Sequence, residues 1–82
     1  MSRGPLDQDI TNQLAKRFIE MSDKHPSVSP GQTQADAMHF LLGAAALAEL
    51  QGGDMLRQDI LLVLLAVNTR GADVLRELAQ RA

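Results

Sequence analysis

The 82-residue chain contains no cysteine, no tryptophan and no tyrosine, and only two phenylalanines. Without cysteine it has neither a disulfide nor a thiolate metal site, and the cytoplasm is the expected setting because stabilising cross-links are absent. A domain of this size buries only ~60–65% of the surface its unfolded chain exposes. With disulfides unavailable, oligomerisation is the remaining common route to further burial. Two phenylalanines leave little on which nucleic-acid bases would stack.

An excess of positive charge is also missing. Eight Lys and Arg stand against ten Asp and Glu, a formal charge of −2. Residues 34–51 carry only Asp36 and Glu49, while the segments on either side are balanced. Nucleic-acid binding draws most of its affinity from cations concentrated on one face, so no nucleic-acid partner is expected. No apolar run approaches the ~18 residues of a spanning helix, and no membrane partner is expected. The opening stretch MSRGPLDQD meets acids where a signal peptide has its apolar centre, so no secretion signal is expected.

What the chain has is helical patterning. Residues 5–23 open with Gly4 and Pro5 and place Leu6, Ile10, Leu14, Phe18 and Met21 on one side, with Asn12, Lys16, Glu20 and Asp23 directed away from it. Residues 22–33 form a connector, since the X-Pro steps disfavour helix at His25 and Ser29. Ser29-Pro30-Gly31-Gln32 reads as a helix start with Ser29 as cap and Gln32 reaching back to it; Thr33 with Asp36 offers a competing start.

The second helix, 33–51, carries two strips of small residues, Ala37/Ala44/Ala48 and His39/Gly43/Ala46. Each is a seat for a neighbouring helix, so two neighbours are predicted. Gly52-Gly53 ends this helix, and Asp54 is the expected cap of a third over 54–69. Gly71 separates a last helix, 72–81; the alternative is one continuous rod from Asp54 to Arg81.

The third helix poses the main problem. Ile60 to Val67 are eight consecutive apolar residues, which at about 100° each sweep more than two turns and leave no polar face. Two amphipathic helices cannot cover two helices that are apolar nearly all round. The expected fold is therefore all-α, a small bundle of three to four helices in a single domain spanning 1–82, completed by homodimerisation. The expected subunit interface is Met38, Leu41, Leu42, Ala45, Leu56, Ile60, Leu61, Leu64 and Leu65. A tight monomer with the third helix as its central rod is the alternative, and a membrane-inserting hairpin is a more remote one.

Chemistry is sparse. Asp36 and His39 are an acid and a histidine three apart, the spacing used by di-metal helical bundles, but the pair occurs once and Glu49 lies ~15 Å further along the helix. His25 precedes a proline in the connector, and Ser22, Ser27 and Ser29 carry no nucleophile motif. Gly31 and Gly52-Gly53 match no phosphate-binding pattern. No enzyme activity, metal or cofactor is expected. The expected function is a protein-binding module, an adaptor, chaperone or inhibitor acting as a homodimer. Another protein would be held through Lys24, His25, Val28, Arg76, Gln80 and Arg81. The rival is a dimeric helix–turn–helix-like DNA-binding regulator that reads DNA with Arg76, Gln80 and Arg81.

Overall fold

The structure is a computed structural model that describes residues 7–82, with side chains from Asp9 onward. Gly4, Pro5 and Leu6 lie outside the described residues. The chain folds as an all-α four-helix bundle: α1 (Asp7–Lys24), α2 (Pro30–Leu50), α3 (Asp54–Arg70) and α4 (Asp73–Ala79), with no strand among the described residues.

Local chemistry sets the ends of the helices. Ser29 is in extended conformation and its Oγ accepts from the Gln32 N–H at 3.2 Å, with Pro30 as the first helical residue. The start at Ser29 thus prevails over the one at Thr33, because proline arrives with its φ already set and lacks the N–H that would go unpaired there. Gln32 does not return to the cap; its Nε2 donates to Asp36 Oδ1 at 2.7 Å, one turn ahead. Ser29→Ala is expected to lower stability by about 1 kcal/mol, read as a drop of several degrees in thermal midpoint.

At the other end of α2, Gly52 takes φ +78°. Its N–H donates to the Glu49 carbonyl, and the Gly53 N–H donates to the Ala48 carbonyl at 2.8 Å. This left-handed turn satisfies carbonyls that the helix leaves open, and only glycine adopts it without strain. It reverses the chain so tightly that α2 and α3 form an antiparallel hairpin. Gly53, not Asp54, occupies the cap position of α3 and supplies no side-chain bond. Gly71 (φ +93°) breaks the chain between α3 and α4, so the continuous rod is not formed.

The hairpin is the main packing unit, and α1 pairs chiefly with α4 across one side of α3. Ala37, Leu41, Ala45 and Ala48 of α2 are buried with Ile60 and Val67 of α3. The small side chains let α3 approach closely. Gln34 Nε2 ties the open end of the hairpin by donating to the carbonyls of Val67 (2.8 Å) and Asn68 (3.1 Å), two of the last acceptors of α3. The rings of Phe18 and Phe40, 5.5 Å apart and tilted at 52°, join α1 to α2.

Two expectations about faces are corrected. On α1 the buried residues are Thr11, Asn12, Ala15 and Phe18, whereas Met21 is 48% exposed. The helix is rotated from the face its largest apolar residues suggest, because α3 and α4 both press on the side of Ala15, where a small side chain permits contact. Asn12 is drawn inside as a result, and its Oδ1 finds no partner among the described residues. Among the described residues only one small-residue strip of α2 is occupied. Ala37 and Ala48 meet α3, while His39, Gly43 and Ala46 are exposed and a Cβ added at Gly43 would touch nothing within 4 Å.

Candidate functional site

The apolar run Ile60–Val67 divides once α2 is in place. Ile60 and Val67 point inward and are sealed; Leu61, Val63, Leu64 and Ala66 are partly covered; Leu62 and Leu65 point outward, 63% and 56% exposed. Leu42 on α2 is 51% exposed. Gln58, Leu61, Leu62 and Leu65 line a shallow, predominantly apolar depression on the outer side of α3. The hairpin end adds Leu47, Leu50 and Met55, all largely exposed.

The residues expected at a subunit interface therefore separate into three groups. Leu41, Ala45 and Ile60 are buried within the chain and leave no surface for a partner, a correction that follows from the closeness of α2 and α3. Met38, Leu56, Leu61 and Leu64 are half-buried against the same core. Leu42 and Leu65 remain exposed. Leu62 and Met55 were not among the expected residues although they are more exposed than Leu65. The signal that locates them is spacing. Met55, Gln58, Leu62, Leu65 and Thr69 recur at intervals of three and four on the side of α3 opposite Ile60 and Val67.

The residues expected to hold another protein lie apart from this face. Lys24 and His25 are exposed at the end of α1, and Val28 is 97% exposed in the connector. His25 borders a cleft of about 300 Å³ with Phe18, Met21, Ser22, Ser27, Asp36 and Phe40. Asp36 accepts from Ser27 Oγ at 3.2 Å as well as from Gln32, which secures the connector to α2. Val28 borders a separate crevice with Pro30, Gln34 and Arg70 to Asp73. Gln80 and Arg81 are exposed beyond α4. Arg76 Nη2 is engaged with Asp23 Oδ1 at 3.1 Å, linking α4 to the end of α1.

No group of three or more His, Asp or Glu side chains converges on a metal-sized site among the described residues. Asp36 is committed to the connector contacts, and His39 is exposed on the outer side of α2. No described helix is long and apolar enough to cross a membrane. No family model, curated protein or solved structure matches the chain.

Proposed function

We propose that the chain is a non-enzymatic protein-binding module, of adaptor, chaperone or inhibitor type, that works as a helical homodimer. The observation that carries this reading is the outward direction of Leu62 and Leu65 in the middle of α3, with Leu42 of α2 also half exposed. Each of these leucines is roughly half uncovered, so sealing it contributes about 1–2 kcal/mol. Three from each of two copies give about 6–12 kcal/mol, against an association cost of about 4–15 kcal/mol. The two ranges overlap, so these leucines alone support a weak dimer, and only their most favourable ends, about 12 against about 4 kcal/mol, reach the roughly 8 kcal/mol of a micromolar one.

The partner protein is held at the other surfaces, where Lys24, His25 and Val28 lie on and beside the connector and Gln80 and Arg81 follow α4. An apolar anchor with a polar rim suits a protein partner and depends only mildly on salt. Several features weigh against DNA reading by α4. This helix has only seven residues, Arg76 is occupied by Asp23, and Asp73 and Glu77 are exposed beside it.

Sedimentation or light scattering from one to several hundred micromolar is expected to show the mass rising towards twice the monomer value. The same protein is expected to bind no duplex DNA at physiological salt. A monomer at every concentration that also binds no apolar dye overturns the dimeric reading. Nanomolar duplex binding, steeply weakened by salt and abolished by Arg76→Ala with Arg81→Ala, overturns the protein-binding reading.

A further inference from the structure

We infer that the cleft between the end of α1 and the start of α2 binds a small organic ammonium ion, whose apolar body rests on the two phenylalanines while its cation meets Asp36. The cleft holds about 300 Å³, the lower end of the range for small-molecule pockets. It opens because α1 packs chiefly on α4 and touches α2 little outside the contact of Phe18 with Phe40. Helical spacing brings the lining residues together. Phe18, Met21 and Ser22 share one face of α1, and His25, whose N–H still donates to the Met21 carbonyl, extends that face by one residue. Across the cleft Asp36 and Phe40 stand four apart on one face of α2. Ser27 of the connector completes the wall and is held there by donating to Asp36 Oδ2 at 3.2 Å.

The wall selects the ligand by charge and by shape. Asp36 is the one acid among the lining residues, and no Lys or Arg lines the cleft. Its carboxylate accepts from Ser27 Oγ and from Gln32 Nε2, both neutral donors, and makes no ion pair among the described residues. Two of its roughly four acceptor positions are thereby used, and the others are open to the N–H groups of a cation. The floor is apolar: Phe18 is buried, Phe40 is half-buried, and the Met21 side chain beside them is flexible and half exposed, so a flat or branched hydrocarbon removes all three further from water. Residues four apart on a helix hold their Cβ atoms about 5–6 Å from each other, so ring site and charge site are separated by a short aliphatic spacer. A 2-arylethylammonium ion has this form, and its cation gains further from the aromatic faces below it. The exposed face of α3 takes no part, so the site stands independently of the homodimer reading.

Met21 reports on the site directly, since it lines the cleft while Met55 lies on α3 away from it. The full chain, carrying 13C-labelled methionine methyl groups, is titrated with 2-phenylethylamine at pH 8, where imidazole is uncharged and the amine is still protonated. The Met21 methyl signal is expected to shift and saturate with a dissociation constant of about 1 mM or tighter, while Met55 stays in place. The uncharged 2-phenylethanol is expected to bind about fivefold more weakly, the difference made by one partly exposed ion pair with its cation–π contact, and 3-phenylpropionate not measurably. Asp36→Asn, which keeps the size of the side chain and an acceptor for Ser27, is expected to lower the affinity for the amine to that for the alcohol, with the helical circular dichroism retained. A Met21 signal that does not move up to about 20 mM amine, or that moves only in step with Met55, overturns the site. An alcohol that binds the wild type as tightly as the amine, or an amine that binds Asp36→Asn as tightly as the wild type, overturns the assignment of a cationic ligand. The comparison of amine, alcohol and acid is made on the wild-type chain and decides the matter even if the variant fails to fold.

Discussion

Leu41→Asp is expected to abolish folding at 25 °C. Leu41 is 2% exposed, among the largest fully buried side chains, and is enclosed where α2 meets α3. No cation lies in the core cluster around it, which is composed of apolar residues. An unpaired carboxylate there costs several kcal/mol, either as a buried charge or through the protonation that relieves it. A domain of this size has a total stability of only about 5–10 kcal/mol, so the helical circular dichroism should collapse. Leu65→Asp provides the contrast. It lies on the same hairpin, but its side chain is already more than half in water, and the variant is expected to keep its helical signal and lose only self-association. Cooperative melting of Leu41→Asp within a few degrees of the wild type would show that α2 does not pack as described.

Leu75→Ala is expected to have the next largest effect. Leu75 is fully buried, and with Val74 it anchors a helix of seven residues, far below the length at which an isolated helix persists in water. Tertiary packing is therefore the source of the stability of α4. The surface ion pairs that accompany it, Arg76 with Asp23 and Arg70 with Glu77, are mostly exposed and contribute little. Truncating a sealed leucine costs about 2–5 kcal/mol. At about 4–8 °C per kcal/mol for a chain of this length, the thermal midpoint should fall by 10 °C or more. Amide exchange should accelerate first in α4 and in the stretch of α1 it covers. Gln80→Asp, on an exposed side chain beyond the helix, is the matched control and should leave the midpoint unchanged. A shift of less than about 3 °C for Leu75→Ala would mean that α4 is not docked on α1.

Both expectations depend on which side of each helix faces inward, and there sequence and structure contribute unequally. The amino-acid sequence by itself determined the breaks in the chain and the all-α class. Ser29-Pro30, Gly52-Gly53 and Gly71 act on their own backbone and their nearest neighbours, so their effects are local and legible. It also determined that Ile60–Val67 carries no polar face, because all eight residues are apolar. Only the tertiary structure decided that Leu62 and Leu65 are the residues left outward, that Asn12 is buried and Met21 half exposed, and that the His39/Gly43/Ala46 strip is exposed. The physical reason is the same in each case. Helical periodicity fixes an orientation only where polar residues mark one side for water. On α2 and α3 almost every direction is apolar, so the wheel is degenerate and the facing side is chosen by contacts with other helices. On α1 the side chosen was the one where Ala15 lets two helices come close, and close packing there outweighed the burial of the larger side chain at Met21.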